Sequence, residues 1–238
     1  MQKNNKLTIT FCSGAGNVTG ANFLLESPEK KILIDCGLIQ GSKLADDENW
    51  NEFPYDPATI DILFVTHAHL DHIGRIPKLI RDGFKGIIYS TPPTKDLAKL
   101  MLEDTIHILS HDTADNLDEI YNAENLAKAM QLWQTVEYHH ELHIEGGFQV
   151  LLMDAGHILG SAMVRFTYNG KHILFTGDLG NSPSPLLPDT EVISDIDYLI
   201  MESVYGDRNH ESRNERRSLL ESVIEDNYRR GGTLIMPT

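Results

Sequence analysis

Residues 60–74 read Ile60-Asp-Ile-Leu-Phe-Val-Thr-His-Ala-His-Leu-Asp-His-Ile-Gly74. The first half of this stretch, up to Thr66, is a nearly continuous apolar run, which is typical of a strand buried on both faces. The run leads directly into the cluster His67-Ala-His-Leu-Asp-His72. Ligand-type side chains at the end of a buried strand are held rigidly, so the stretch predicts a metal site built on the core of the protein.

The cluster offers donors for more than one ion. Side chains alternate faces in an extended segment, so His67 and His69 project the same way, while Asp71 and His72 follow as the chain turns. Imidazoles and carboxylates at this density suit zinc first, and iron or manganese are also compatible with them. The alternative is a solvated polar loop that happens to be rich in histidine. It is disfavoured because ligand-type residues rarely cluster in this way without metal.

Two later segments place further ligand-type residues beside glycines. They are Asp154-Ala-Gly-His157-Ile-Leu-Gly-Ser161 and Phe175-Thr-Gly-Asp178-Leu-Gly180, and each follows a predicted strand. Glycine lets the backbone come close to a metal or to an anionic substrate. The two segments therefore add His157 and Asp178 to the predicted site.

Hydrophobic patterning predicts a mixture of strands and helices. Helical spacing is expected from Thr94 to about Val136, with a second, amphipathic helix over 211–230 and the start of a strand at 231–238. A helix is also expected over Ile76–Arg81. The predicted strands besides 60–66 are 6–11, 22–26, 31–35, 86–90, 148–153, 162–168, 172–176 and 198–201.

Composition narrows the class of protein. A chain of 238 residues with 41% hydrophobic residues suffices for one substantial core. No apolar run approaches a membrane span, the start of the chain is polar, and the two cysteines, Cys12 and Cys36, are expected to be buried thiols, so we predict a cytoplasmic protein without membrane contact. The formal net charge of −15 argues against a nucleic-acid platform. Two divalent ions would neutralise part of it.

Six stretches occur in the order and spacing of a known family. The sequence resembles the metallo-β-lactamase superfamily, and more narrowly its β-CASP branch, which includes the nuclease subunit of the cleavage and polyadenylation machinery and RNase J. The stretches are Phe11-Cys-Ser-Gly-Ala-Gly-Asn-Val-Thr-Gly20, Leu33-Ile-Asp-Cys-Gly-Leu-Ile-Gln-Gly41, Thr66-His-Ala-His-Leu-Asp-His-Ile-Gly74, Gly156-His157, Thr176-Gly-Asp178 and Glu202-Ser-Val-Tyr-Gly-Asp-Arg208.

The resemblance implies a fold and a division of the chain. The fold is α/β (α+β in some schemes), a four-layer αββα sandwich that this sequence leaves incomplete at its C-terminus. Residues 1–205 would be the N-terminal part of the metallo-β-lactamase domain, and residues 206–238 the start of a truncated β-CASP domain. An incomplete sandwich leaves apolar surface uncovered, so either self-association or a covering partner segment is also expected.

The resemblance also implies the metal ligands. Two divalent ions are expected, with one group of side chains around each and a carboxylate between them. The expected ligands are His67, His69 and His157 for one ion, Asp71 and His72 for the other, and Asp178 as the bridge.

Three further roles follow from the resemblance. Asp71 would accept a proton from the water that the metals activate. Asp35 would orient a ligand through hydrogen bonds, although a strand-end aspartate that caps a turn is an equal alternative. Glu202 would orient a histidine that protonates the leaving oxygen, and that histidine lies beyond residue 238.

The remaining histidines receive no catalytic role. His139, His140 and His143 are expected in an exposed polar loop. His107, His111 and His172 stay without a function, and His210 is assigned loosely to a substrate path, so the substrate-binding residues are unknown.

The leading functional hypothesis is a ribonuclease that cleaves phosphodiester bonds with a metal-activated water, its partner being RNA bound by the full-length protein. A small-molecule metallohydrolase acting on a thioester or lactam is the first alternative, and it fits the acidic composition better. An inactive fragment or noncatalytic scaffold is the second, although such proteins are expected to lose ligands.

Overall fold

The computed structural model describes residues 6–41, 48–109, 117–181, 183–209 and 215–236. Within them the chain forms two β-sheets with helices between and beside the strands. Contacts divide the chain into two units, Met1–Glu202 and Ser203–Thr238.

The first sheet has the strand order β1-β2-β3-β4-β5-β6. Its first three strands form an antiparallel meander, and β3 to β6 run parallel. The strands are β1 (Thr8–Ser13), β2 (Asn22–Glu26), β3 (Lys31–Ile34), β4 (Ile62–Phe64), β5 (Ile87–Ser90) and β6 (Trp133–Thr135).

The second sheet has the order β11-β10-β9-β8-β7 and is antiparallel except for the parallel pair β10 and β11. Its strands are β7 (Leu142–Ile144), β8 (Phe148–Asp154), β9 (Ala162–Tyr168), β10 (Lys171–Phe175) and β11 (Tyr198–Ile200).

The two sheets pack face to face, and β4 is buried on both faces as predicted. Ile62 and Phe64 face the second sheet, where they join a core with Phe166 and Phe175. Leu63, between them, belongs to the core beneath the helices. These faces explain why residues 60–66 read as a continuous apolar run rather than an alternating one.

Helices cover the other face of the first sheet. Their buried side chains include Ile76, Leu79, Ala98 and Leu126, all in the same core as Leu63. The helices of the first unit that lie wholly within the described residues are α1 (Leu70–Ile73), α2 (Ile76–Arg81), α3 (Pro92–Leu109) and α4 (Ala123–Leu132), with short 3-10 turns at Pro57–Thr59 and Leu117–Glu119.

Two predicted elements differ from the structure. The prediction of helix up to about Val136 is wrong beyond Leu132, because Trp133 begins β6 and pairs with Ile88 of β5. The strand expected after Gly231 is absent from residues 232–236, the described part of that segment. The segment that begins at Trp133 forms a strand because it pairs with a distant strand, and the periodicity of its side chains gives no information about such pairing.

The second unit contains α5 (Arg216–Arg230), which ends at Gly231 in the left-handed conformation that commonly closes a helix. The start of the predicted helix, 211–214, lies outside the described residues, as do His111 and His210. Among the helices that the structure describes, none is long and apolar enough to cross a membrane.

Candidate metal centre

All six predicted ligands come together where three strands of the two sheets end. The segment His67–His72 follows β4, His157 follows β8, and Asp178 follows β10. A backbone hydrogen bond from Ala162 N to Thr66 O, 2.8 Å long, ties the two sheets together beside the cluster. The site therefore depends on both sheets and on three segments far apart in the sequence.

One group consists of three imidazoles and a carboxylate. His69 Nδ1 lies 3.0 Å from His67 Nε2 and 3.1 Å from His157 Nε2. Asp178 Oδ2 lies 3.7 Å from His67 Nε2 and 3.6 Å from His157 Nε2. We refer to His67, His69, His157 and Asp178 as the histidine group.

A second group consists of Asp71, His72 and Asp178. His72 Nε2 lies 3.2 Å from Asp178 Oδ1 and 3.8 Å from Asp71 Oδ2. Asp178 thus turns one oxygen toward each group. We refer to this second set as the mixed group.

Both groups fit a divalent cation. In each, one donor atom per residue can be chosen so that all lie within 4.8 Å of one another. Imidazole nitrogens and carboxylate oxygens in such sets are the ligands used by zinc, iron and manganese. The donor chemistry and the spacing therefore agree with metal binding.

The surroundings shift the pKa values of the clustered imidazoles in opposite directions. Burial, with help from the neighbouring histidines, holds the pKa of His67 well below its usual range. Burial also lowers the pKa of His157. For His72, burial would lower the pKa, but the carboxylates of Asp35 and Asp178 outweigh it and raise the pKa to about 10. The surroundings of His67 and His157 therefore disfavour the charged imidazole, whereas those of His72 favour it.

Asp35 contacts a predicted ligand directly. Its Oδ2 lies 2.7 Å from His72 Nδ1, and its two oxygens accept from Thr66 N and Thr66 Oγ1, each at 2.8 Å. Asp35 adopts φ +57°, a left-handed conformation that is uncommon outside glycine and clusters at functional sites. The carboxylate is buried and reaches across from β3 to β4, so it does more than cap a turn.

The loop that carries His157 is held by hydroxyl groups that sequence reasoning missed. Ser161 Oγ accepts from His157 N at 3.1 Å and from Ile158 N at 3.2 Å. Thr91 and Thr94 both donate to Gly160 O. The sequence Gly160-Ser161 predicts only a close backbone approach at the glycine, and no local pattern indicates that the hydroxyl of Ser161 binds the turn before it.

The segments carrying His157 and Asp178 touch through glycines. A Cβ atom placed on Gly180 would lie 1.9 Å from Gly156 O, which no side chain can tolerate. Gly180 N donates to Ala155 O at 2.8 Å across the same contact. Close backbone approach, rather than a turn alone, is what requires glycine there.

Glu202 lies beside the metal segments but outside both groups. Its Oε1 accepts from Leu179 N at 2.7 Å. The family resemblance implies that Glu202 orients a histidine, and no local pattern in the sequence indicates its bond to the residue after Asp178.

Among the residues that the structure describes, the other histidines belong to neither group. His139 and His140 are exposed, and His139 pairs with Glu191 at 2.9 Å. His143 is exposed as expected, but it lies in β7 rather than in a loop. His172 contacts Thr167 on the neighbouring strand.

Known proteins of one family are similar to this chain in sequence. Residues 15–227 match the family model described as the metallo-beta-lactamase superfamily. The chain is 35% identical over 225 residues to Ribonuclease TTHA0252 of Thermus thermophilus. The aligned region covers 94% of this chain and 50% of that protein.

Two further relatives carry related names. Transcription termination factor FttA of Methanosarcina mazei is 33% identical over 99% of this chain and 37% of its own length. Cleavage and polyadenylation specificity factor 73 of Drosophila melanogaster is 34% identical over 94% of this chain and 32% of its own length.

The chain spans half or less of the length of these relatives. Their names agree with the β-CASP branch to which the sequence motifs pointed. The mixed α/β architecture with two packed sheets is that of the metallo-β-lactamase sandwich. With the family model matched over most of its length, the chain belongs to the metallo-beta-lactamase superfamily, whose members bind divalent metal.

Proposed function

We propose that this protein is a metal-dependent ribonuclease that hydrolyses phosphodiester bonds in RNA. The observation that carries the proposal is the orientation of Asp178, whose two oxygens serve two adjacent donor groups. Paired cation sites of this kind suit phosphodiester hydrolysis, because one substrate oxygen can be engaged at each.

The proposal assigns the histidine group to one ion and the mixed group to a second, with Asp178 shared. Zinc is the proposed metal because imidazoles dominate the first group, and iron or manganese are the alternatives. Bound ions would lower the pKa of a water molecule and polarise a phosphoryl oxygen.

The chain's own side chains then handle protons and orientation. Asp71 is proposed to accept a proton, as the family resemblance implies, because its carboxylate lies within the mixed group, with Oδ2 3.8 Å from His72 Nε2. Asp35 is proposed to fix the imidazole of His72 by accepting from its Nδ1 atom, which leaves Nε2 directed at the mixed group. Glu202 is proposed to orient a histidine, as the family resemblance implies.

RNA is the proposed substrate because relatives over nearly all of this chain are named as a ribonuclease, a transcription termination factor and a cleavage and polyadenylation factor. The net charge of −15 favours the alternative, a small-molecule hydrolase acting on a thioester or lactam. Bound cations would offset part of that charge at the site itself.

The proposal includes the division of the chain into a metallo-β-lactamase part, 1–205, and the start of a β-CASP part, 206–238. The break in contacts after Glu202 supports a boundary in this region. A cytoplasmic location is proposed from the two free cysteines, and self-association remains part of the proposal.

The test is cleavage of labelled single-stranded RNA by protein loaded with zinc, iron or manganese, beside protein treated with chelator. Metal-dependent cleavage that Asp178→Asn abolishes is expected. The small-molecule alternative is tested in parallel with a chromogenic lactam and a thioester. Turnover of those compounds without RNA cleavage would reject the ribonuclease proposal.

A further inference from the structure

Glu202 is bonded to the segment that carries Asp178. Its Oε1 accepts from Leu179 N at 2.7 Å, and its own backbone N lies 3.3 Å from Thr176 Oγ1. Thr176 and Leu179 flank the pair Gly177-Asp178 on its two sides. Glu202 therefore contacts both ends of the short turn on which Asp178 sits.

Thr176 Oγ1 donates to Gly177 O at 2.7 Å within the turn, and backbone hydrogen bonds hold its margins. Thr176 N donates to Ile200 O at 3.0 Å, and Gly180 N donates to Ala155 O at 2.8 Å. Between those margins Gly177 has φ +54°, so the turn has a conformation that few residues favour. The amide of Leu179 is a backbone donor that needs an acceptor, and the side-chain oxygen of Glu202 supplies one, which suits Glu202 to hold this turn.

We propose that Glu202 is a positioning residue for Asp178. By accepting a hydrogen bond from the amide of Leu179, it fixes the backbone next to Asp178. That backbone position lets the Asp178 carboxylate direct one oxygen at the histidine group and the other at the mixed group. The inference rests on the proposed function only in taking Asp178 as a metal ligand. Positioning Asp178 is a different role from orienting a histidine. It requires an acceptor oxygen within hydrogen-bond distance of Leu179 N, and it does not require a negative charge.

Three substitutions separate placement from charge. Glu202→Gln keeps an acceptor oxygen at the same distance from the backbone but removes the charge. Glu202→Asp keeps the charge but withdraws the oxygen from Leu179 N, and Glu202→Ala removes both. Two readouts apply: hydrogen exchange of the Leu179 amide in metal-free protein, followed by NMR, and zinc affinity measured by competition with a chelating dye.

We expect Glu202→Ala and Glu202→Asp to speed exchange of the Leu179 amide by about tenfold or more, as loss of a hydrogen bond to a charged group implies. Both should weaken zinc binding by about 10- to 100-fold, the usual effect of losing a residue that supports a metal ligand. Glu202→Gln should stay within about threefold of wild type in both readouts, since it retains the acceptor.

Asp197 provides a matched control. Its Oδ2 accepts from His172 N at 2.9 Å, at the opposite end of the same pair of strands, β10 and β11. Asp197→Ala should therefore leave the Leu179 amide and the zinc affinity unchanged.

The proposal is overturned if Glu202→Asp matches wild type while Glu202→Gln loses zinc, because charge would then be the requirement. It is equally overturned if Leu179 exchanges at the wild-type rate in both variants. Neither readout involves RNA, so a protein that binds zinc as expected but cleaves no RNA would reject the proposed function and leave this inference standing.

Discussion

The histidine group and the mixed group share Asp178 but differ in donors and in support. Four side chains converge in the first, three of them imidazoles, whereas the described residues supply three side chains to the second. The first is held by loop hydroxyls around His157, and the second by a buried carboxylate behind His72. The two cation sites of one cluster should therefore respond to different substitutions.

The difference predicts an order of filling. More protein donors, three of them imidazoles, favour tight binding at the histidine group, since each donor adds to affinity for a borderline cation such as zinc. The mixed group has fewer protein donors, so it should bind its ion more weakly. Zinc titration of the wild-type protein should resolve one tighter and one weaker site.

The largest effect is expected from the shared residue. Asp178→Asn replaces a carboxylate that serves both groups with a neutral amide, so both sites should weaken by more than the roughly 100-fold upper range for a supporting residue. Metal content after dialysis, measured by mass spectrometry, checks this result. Retention of two ions by the variant would contradict a shared role for Asp178.

The next effect should separate the two groups. His72→Ala leaves the mixed group with two carboxylates, so the protein should retain one tightly bound ion. His157→Ala leaves three donors in the histidine group, and the two sites should then bind with similar, weaker affinity. Zinc titration of both variants tests the comparison; identical behaviour would mean that the two groups do not bind separately.

The sequence predicted most of this centre because its ligands are local signals. His67–His72 follows a strand whose burial is visible in its apolar run, and both His157 and Asp178 stand beside glycines after strands. Residue type and position relative to a strand end were therefore sufficient.

The supporting contacts could not be read in the same way. The bond from Glu202 to Leu179 joins residues 23 positions apart, and the contacts of Thr91 and Thr94 with Gly160 span more than 60 positions. Trp133 fell at helical spacing after Leu126 and Ala129, yet its side chain donates to Ser90 Oγ from a strand. Periodicity carries no information on which distant segment a residue meets.

A smaller effect, confined to the mixed group, is expected from Asp35→Asn. The amide cannot accept from Thr66 N, Thr66 Oγ1 and His72 Nδ1 as the carboxylate does, so the weaker site should lose about 10- to 100-fold in affinity while the tighter site is unchanged. Asp61→Asn is the matched control, because Asp61 Oδ2 accepts from Lys31 N and bridges the same two strands at their other end. Equal losses at both sites would show that Asp35 stabilises the fold rather than His72.

The smallest effect should appear at the histidine group alone. Ser161→Ala removes the one acceptor that the backbone N–H groups of His157 and Ile158 share, and such a shared hydrogen bond contributes about 1 kcal/mol, so the tighter site should weaken by about three- to tenfold. Ser27→Ala is the control, since Ser27 Oγ accepts from Glu29 N and Lys30 N in a turn between β2 and β3. If Ser161→Ala weakened the mixed group instead, the loop would be coupled to both ions through Asp178, and the independence of the two supports would have to be abandoned.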